Sequence, residues 1–306
     1  MLIQRVYAYL INWNGMKFLP DVLPNLLNAK RECDFSLTIV MIDNHSSDGS
    51  AEYVKTHFPE EVRVYEALRN GWLYSVDECL KNDKPDIFCL LNNDQKIDAL
   101  FFKNLLLPFQ DESVAIAGAN VLKWDQITKT LGVVEVDFNK APLSEHLSRN
   151  FDLVSEARNG LYLSTAFVSF GACAIKRQAY ESLGGLDQIF YPGYCEDMDL
   201  CLRAWEKKFK VVLVPSARSF HFGGGSMRSL WDRIRIRFVI GRSVLLFNFK
   251  YQWKNKKREL IAFYLILFIK SWVTDPAYGL GLIASLARMP KLKFKQANAI
   301  DIPANL

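Results

Sequence analysis

The sequence has no apolar run long enough to cross a bilayer, no C-x-x-C pair, no G-x-G-x-x-G, no internal repeat and no low-complexity tract. Its longest apolar helical stretch, Leu260–Ile269, is ten residues and stops at Lys270, whereas a spanning helix needs about 20 residues. The six cysteines (Cys33, Cys79, Cys89, Cys173, Cys195 and Cys201) show no zinc-site spacing. Cys89, Cys173 and Cys201 lie among apolar residues and read as small core side chains. Met1–Arg5 runs directly into an apolar strand pattern without a secretory leader, so a reducing, cytoplasmic setting is expected. Without G-x-G-x-x-G a dehydrogenase is disfavoured. With no helix-turn-helix, zinc or RNP-like pattern, no nucleic-acid partner is expected.

What is present is a globular composition. The 306 residues are 50% hydrophobic and 23% charged, outside the disordered range. The net charge of +5 hides an asymmetry: residues 226–306 hold 15 Lys+Arg and 4 Asp+Glu (+11), leaving 23 and 29 (−6) for residues 1–225. The shift near Ser226 divides the chain into an acidic unit, 1–225, and a basic, aromatic helical extension, 226–306.

Along the first unit, strand and helix patterns alternate. Strands are expected at Val6–Ile11, Leu37–Ile42, Val62–Tyr65, Ile87–Leu91 and Val114–Ala117. Helices are expected at Phe18–Ala29, Ala51–His57, Trp72–Leu80 and Leu100–Phe109. Near-continuous apolar strands with short connections predict an α/β fold around a mostly parallel sheet. Between Trp124 and Ser164 only short strands and loops are expected. A buried strand is predicted at Phe167–Ile175, helices at Arg177–Leu183 and Glu196–Lys207, and a strand at Val211–Val214 that stops at Pro215. The extension reads as helices Leu230–Phe249, Glu259–Val273 and Leu280–Met289.

Two strands end on polar clusters. Leu37–Ile42 delivers Asp43-Asn44-His45-Ser46-Ser47-Asp48-Gly49-Ser50, and Ile87–Leu91 delivers Asn92-Asn93-Asp94. In an open α/β sheet the carboxyl ends of strands are where nucleotides bind. Asp43 reads either as a carboxylate accepting the imide N–H of uracil or thymine, or as a turn residue; Asp48 fits a capping role better. Asp94 reads either as a ligand for a divalent metal that shares diphosphate oxygens or as part of an Asn-rich turn. Glu196-Asp197-Met198-Asp199 opens a helix, where acids favourably oppose the dipole. Asp199 and Arg203 are spaced to pair. Glu196 and Asp197 crowd two like charges, which raises a carboxyl pKa towards a general base's range. His221 reads either as a metal ligand or as structural.

Together these residues resemble family 2 of the glycosyltransferases, in particular its bacterial rhamnosyltransferase-like members. Ile11-Asn12-Trp13-Asn14-Gly15 resembles the family's opening motif, and Asp43-Asn44-x-Ser46-x-Asp48-Gly49-Ser50 its nucleotide-binding segment. Leu91-Asn92-Asn93-Asp94 resembles its metal motif, and Gly184-Gly185-Leu186-Asp187 through Glu196-Asp197-x-Asp199-Leu200-Cys201-x-Arg203 its acceptor and base segment. His221-x-x-Gly224-x-Ser226 resembles its late His-Gly-Ser element. The resemblance implies a GT-A fold and metal-dependent, inverting transfer, with Asp197 as base beside Glu196. It implies Asn12, Asn14, Asp43, Asn44, Ser46 and Asn93 at the nucleotide, and Asp94 with His221 on Mn2+ or Mg2+. It puts Gly171, Ala172 and Trp72 at the donor and acceptor pocket. One segment departs from the pattern: in Arg69–Asp77 the bulky Leu73, Tyr74 and Val76 replace small residues and Asp77 replaces an amide, so the donor pocket differs in outline.

The expected reaction takes a sugar, rhamnose first, from a dTDP- or UDP-sugar to a glycan or lipid-linked acceptor in cell-surface polysaccharide synthesis. Trp253, Lys254, Lys256, Lys257 and Arg258 beside Leu260–Ile269 fit peripheral attachment to an anionic membrane surface; a helical subdomain that forms a homodimer is the other reading. Two rivals remain for the function. A sugar nucleotidyltransferase needs a Gly-rich loop where Asn12-Trp13-Asn14-Gly15 stands. A catalytically inactive scaffold of a polysaccharide assembly complex is left open by Asn92 and the Asn70–Asp77 segment.

Overall fold

The structure is a computed structural model that describes residues 5–130, 132–156, 162–223, 230–295, 300–303 and 305. The boundary near Ser226, and Gly224 and Ser226 of the late motif, lie outside those residues. The first half of the chain runs β1 (Val6–Asn12), α1 (Leu19–Arg31), β2 (Leu37–Asp43), α2 (Ser50–His57), β3 (Val62–Glu66), α3 (Val76–Asp83), β4 (Ile87–Asn92), β5 (Gln95–Ile97), α4 (Phe101–Leu106) and β6 (Val114–Lys123). It continues with β7 (Val133–Val136), β8 (Leu147–Asn150), α5 (Phe151–Glu156), β9 (Leu163–Ser164), β10 (Ala172–Lys176), α6 (Arg177–Leu183), α7 (Glu196–Glu206), β11 (Lys210–His221), α8 (Leu230–Thr274) and α9 (Pro276–Leu286).

Nine strands form one sheet in the order β3-β2-β1-β4-β10-β6-β11-β5, with β9 added against β11. β1, β2, β3 and β4 are parallel, β10 is inserted antiparallel between β4 and β6, and β11 runs parallel to β6. Six of the nine strands therefore point one way; β5, β9 and β10 oppose them. From β1 the chain winds outwards through β2 and β3, then crosses to β4 on the other side of β1. That reversal makes a crevice between the ends of β1 and β4, the place where α/β sheets hold ligands.

Alternate strand residues feed two buried clusters. Val6, Ala8, Leu10, Ile39, Met41, Cys89 and Leu91 pack under α1 and α4. Tyr9, Val40, Ile42, Phe88, Leu90 and Cys173 pack under α3, α6 and α7. A sheet covered on both faces explains why its strands read as continuous apolar runs.

Three expectations need correction. β11 does not stop at Pro215 but continues to His221, with a register shift between Val214 and Arg218; a residue without an N–H is tolerated at such an irregularity. The predicted strand Phe167–Ile175 is a strand only from Ala172. The stretch before it is buried but irregular, its polar groups met locally by Thr165 Oγ1 to Phe167 O (3.2 Å) and Gly171 N to Ser169 Oγ (3.3 Å). Trp72–Leu80 begins as a 3-10 turn, Trp72–Ser75, before α3.

The extension packs onto the α7 side of the sheet. Leu245, Leu246, Phe247, Tyr251, Leu260, Tyr264 and Leu282 belong to the same buried cluster as Phe88 and Cys173. α8 breaks at Lys256, which has non-helical backbone angles. Asn248 Nδ2 donates to the Tyr264 hydroxyl at 2.7 Å, although residues sixteen apart on a straight helix would stand about 24 Å apart. The halves of α8 thus double back on each other. Gly279 lies where an added Cβ would meet Ser271 Oγ at 2.4 Å, and Gly281 where it would meet Phe238 O at 2.1 Å, so α9 approaches both halves closely.

The extension and the sheet unit are joined by buried charge. Lys250, 2% exposed, donates to Asp187 Oδ2 at 2.7 Å and to Asp199 Oδ1. Asp199, fully buried, also receives Arg203 Nε at 2.8 Å and the Tyr251 hydroxyl at 2.8 Å. Removing Lys250 leaves two carboxylates, Asp187 and Asp199, with Arg203 as the one remaining cation bonded to the cluster. Lys250→Met is therefore expected to destabilise the fold by about 3–5 kcal/mol, and Lys250→Met with Asp199→Asn to recover part of the loss. An unchanged urea midpoint for the single variant would show that the pair holds nothing.

Candidate active site

The tips of β1, β2 and β4 are stitched together by side-chain amides. Asn12 ends β1. Its Nδ2 donates to Asp43 Oδ1 (2.8 Å), Ser46 Oγ (3.1 Å) and Ser50 Oγ (2.9 Å), and its Oδ1 accepts from Asn93 Nδ2 (2.8 Å). That last bond spans the crevice between β1 and β4. Asn14 and Ser46 lock the two loops together through Asn14 N to Ser46 Oγ (2.9 Å) and Ser47 N to Asn14 Oδ1 (2.8 Å). Gly15 is required here: a Cβ would stand 2.2 Å from Asn12 Oδ1 and 2.3 Å from Asn93 Nδ2.

Asp43 is buried and engaged by the protein. Ser46 Oγ (2.6 Å) joins Asn12 on Oδ1, and Ser46 N (2.9 Å) binds Oδ2. A carboxylate offers about four acceptor positions, so these three leave one on Oδ2. Asn44 turns the other way. Its Oδ1 accepts from Ser75 Oγ (2.6 Å) and Gly71 N (3.2 Å), and its Nδ2 donates to Trp72 O (3.3 Å). Asp48 does bind at the start of α2, accepting from Ser50 N (3.1 Å), and also reaches Met16 N (2.8 Å).

Asp94 lies in the turn between β4 and β5. Asn25 of α1 clamps β5 with two bonds to Ile97, Nδ2 to O (2.9 Å) and N to Oδ1 (2.7 Å). β5 pairs with the extra length of β11, placing His221 opposite Gln95. His221 Nε2 consequently stands 3.1 Å from Asp94 Oδ1. At that separation both atoms can face one divalent ion, each at roughly 2.1 Å. The donor set, one carboxylate oxygen and one imidazole nitrogen, suits Mn2+ or Mg2+ completed by phosphate oxygens and water. Among the described residues no group of three or more His, Cys, Asp and Glu side chains forms a metal cage.

Trp72 connects this half to the acid pair. Its carbonyl binds Asn44, and its ring meets Gly193, where an added Cβ would come within 3.0 Å of the indole; Glu196 Oε1 is 3.9 Å from the same point. Trp72 and Tyr194 pack edge to face, 6.0 Å between centroids. The turn into α7 is strained, with Tyr194 and Cys195 both at φ +67° and Trp72 at +52°. Bulky side chains rarely adopt that region, and such strain gathers at functional sites. Gly171 stacks on Asn92, where a Cβ would be 2.6 Å from Nδ2, and Ala172 pairs with Leu91.

Glu196 and Asp197 sit in the first turn of α7. Burial, then the charge of Asp197, pushes the Glu196 carboxyl far above the usual range, and its Oε2 is buried without a partner. Burial raises Asp197 as well, opposed by the N–H of Met198 bonded to its Oδ1 at 2.8 Å. The helix dipole favours the charged form by only about 0.3–1 kcal/mol at a surface, less than one pKa unit, so desolvation wins.

The structure brings Asn12, Asn14, Asp43, Ser46 and Asn93 into one network, Asp94 and His221 into another, and Trp72 beside Glu196. Sequence reasoning missed Ser75 and Asn25, and the bracing of the 189–193 turn. That turn is held by Arg242 Nη2 to Phe190 O (2.9 Å), Ser243 Oγ to Gly193 O (3.0 Å) and Arg288 Nη1 to Ile189 O (2.6 Å). A separate groove of about 510 Å3 along β7 and β8, lined by Glu135, Lys140 and His146 among others, includes none of the predicted residues.

The profile of a family described as "Glycosyltransferase like family 2" matches residues 4–239. Among solved structures, GalNAc-T7 with UDP, GalNAc and Mn2+ superposes with a TM-score of 0.64 at 15% identity, over 97% of this chain and 56% of that one. Mannosyltransferase PcManGT from Pyrobaculum calidifontis, with GDP-Man and Mn2+, gives 0.55 at 16% identity over 96% and 77%. S. aureus TarS 1-349 with UDP gives 0.51 at 12% identity over 83% and 74%. At these identities the likeness is one of fold, and the chain spans only 56% of the length of GalNAc-T7. No curated protein matches the sequence.

The unpartnered Glu196 carboxylate carries a stability cost. Because its folded pKa is raised, the folded chain binds more protons than the unfolded chain above about pH 4.3, and stability falls as pH rises through that window. Glu196→Gln is therefore expected to raise the melting temperature at pH 8 and to leave it nearly unchanged at pH 4. An equal shift at both pH values would point to packing instead.

Proposed function

The chain belongs to the glycosyltransferase-like family 2 and has the GT-A fold, and from that premise we propose that it transfers a sugar from a nucleotide diphosphate donor to a glycan or lipid-linked acceptor by inverting single displacement. The supporting observation is the hydrogen-bonded chain from Asn93, beside Asp94, through Asn12 to Asp43 and from Asn44 to Trp72, whose ring lies against Gly193 near Glu196. It supports reading the carboxyl ends of the strands as the place of a nucleotide pocket, with the metal pair and the acid pair beside it.

Asn12, Asn14 and Ser46 shape the nucleotide pocket, and the remaining acceptor position of Asp43 takes the imide N–H of a uracil or thymine base. A dTDP- or UDP-sugar is accordingly the proposed donor, with rhamnose the first sugar by motif resemblance. Asp94 and His221 would hold Mn2+ or Mg2+, which would neutralise charge on the diphosphate. Asp197 takes the proton of an acceptor hydroxyl. That oxygen bonds to the anomeric carbon as the carbon–oxygen bond to the diphosphate breaks, and the electron pair leaves with the nucleoside diphosphate. Glu196, whose carboxyl is pushed up by burial and by the Asp197 charge, resists ionising beside Asp197, which keeps the pair from carrying two charges. Trp72, Gly171 and Ala172 bound the sugar. Acceptor chemistry of this kind fits cell-surface polysaccharide synthesis at the cytoplasmic face of a membrane.

Asp197→Asn is expected to lower turnover by about 10²–10⁴-fold while nucleotide binding persists. In the unsubstituted enzyme kcat/KM should climb with pH along a limb above the ordinary aspartate range of about 3.9, because the ionised form is the base. Near-normal turnover by the variant eliminates this mechanism, whereas failure of the unsubstituted protein to release nucleoside diphosphate with Mn2+ favours the inactive scaffold. For the metal pair, Mn2+ should enlarge the rise in melting temperature produced by UDP. Asp94→Asn should weaken Mn2+-dependent UDP binding by at least the tenfold that loss of even an outer-shell partner costs. An undiminished Mn2+ response would remove Asp94 from the site.

A further inference from the structure

Large apolar side chains are exposed mainly in one place. Ile261, Leu265, Ile266, Ile269, Trp272 and Val273 lie on the second half of α8, with Ile269 69% and Val273 88% exposed, and Leu280, Ile283 and Leu286 lie on α9. At about 100° per residue, Ile261, Trp272, Leu265, Ile269, Val273 and Ile266 fall within an arc of about 140° on α8. The opposite side of the same helix is spoken for, with Leu260, Tyr264 and Ser271 buried. Exposed basic residues frame the arc: Lys257 and Arg258 at its start and Lys270 beside its end.

We propose that this stripe lies flat in the interface of an anionic lipid bilayer. No helix among the described residues is long and apolar enough to cross a membrane. A helix with one apolar face, a Trp and flanking Lys and Arg buries that face in the headgroup region. The exposed Lys254, Lys257, Arg258 and Lys270 around the arc complement anionic headgroups at about 1 kcal/mol per basic residue near the surface. The same charge weighs against a second copy of this chain as the occupant, since two like faces would repel. A nucleic acid offers a charged backbone but nothing to cover the apolar arc.

The surface connects with the acceptor side of the site. The first half of α8 holds the turn before Glu196 through Arg242, Ser243 and Lys250, and its second half carries the stripe. A membrane-seated α8 thus presents the acid pair to an acceptor anchored in the same lipid. This inference deepens the membrane part of the proposed function and does not require transfer itself to be right.

The test is co-sedimentation of the whole chain with vesicles of phosphatidylcholine and phosphatidylglycerol, three to one, against phosphatidylcholine alone, at low and high salt. The expected result is binding to the anionic vesicles, weakened by salt. Ile269→Glu with Trp272→Ala should reduce it at least about tenfold, the equivalent of ~1.4 kcal/mol. Both side chains are exposed, so the variant should keep its melting temperature and its UDP-induced shift, and loss of vesicle binding then reports on the surface alone. No binding, equal binding to phosphatidylcholine alone, or binding indifferent to the substitutions overturns the proposal. A dimer in sedimentation velocity that the same substitutions dissociate, without vesicle binding, gives the stripe to a second copy instead. In each negative case an intact UDP response leaves the transferase reading standing.

Discussion

Asn12 carries the site. Its single side-chain amide donates to the end of β2 and accepts from the end of β4, so it ties three parallel strands across the point where the winding of the sheet reverses. A buried amide pays for its desolvation only when its bonds are made; each group left unsatisfied costs about 1–3 kcal/mol. Substitution of Asn12, Asn93 or Asp43 therefore removes a partner from its neighbour in the network, and only Ser46 and Ser50 remain to meet Asn12 and Asp43. The crowding at Gly15 follows from the same constraint, because the β1 loop must pass directly over the Asn12–Asn93 bond.

The second anchor is electrostatic and lies at the other pole of the site. Asp199 is turned towards α8, where Lys250 and Tyr251 meet it, in the same helix turn that carries Glu196 and Asp197. Arg203, Lys250 and Tyr251 converge on Asp199, and Lys250 adds Asp187 from the preceding loop. An apolar replacement of such a cluster can be as stable or more so. What the charges provide here is direction: they fix α8 on α7 and hold the Asp187–Cys195 loop in one position. The amide network fixes the strand tips and the ion cluster the loop before α7. Tyr74 bridges them, sharing a helix start with Trp72 and donating from its hydroxyl to Asp187 O at 2.8 Å.

Much of this was legible in sequence because it depends on local pattern. The apolar strands ending at Asp43 and Asn92, the Asp199–Arg203 spacing and the acids opening α7 are short-range signals, and the structure contains each of them. What sequence did not reveal depends on partners distant in the chain. The continuation of β11 past Pro215 is set by pairing with β6 and β5, which no local propensity encodes. Asn25 looks like an ordinary helix residue until β5 lies against it. Lys250 did leave a trace: a lysine within Val244-Leu245-Leu246-Phe247-Asn248-Phe249-Lys250-Tyr251 stands on a face otherwise destined for burial, and a charge there implies a counter-charge. The large side chains of Leu73 and Tyr74 have a similar explanation. Tyr74 is buried and braces the loop before α7, and Asp77 accepts from the Tyr180 hydroxyl at 2.6 Å, so these substitutions serve packing between segments.

The strained turn before α7 explains why the extension must bind where it does. Tyr194 and Cys195 in the left-handed region cost of order 1–3 kcal/mol each, and two half-buried acids follow immediately. Left alone, this turn would relax and the acids would swing towards water. Its conformation is over-determined by bonds to four successive backbone regions: Ile189 and Tyr191 by Arg288, Phe190 by Arg242, and Gly193 by Ser243. All three donors belong to the extension. The helices that leave an apolar face uncovered are thus the ones that keep the acid pair desolvated and aimed, and the chain cannot loosen one without disturbing the other.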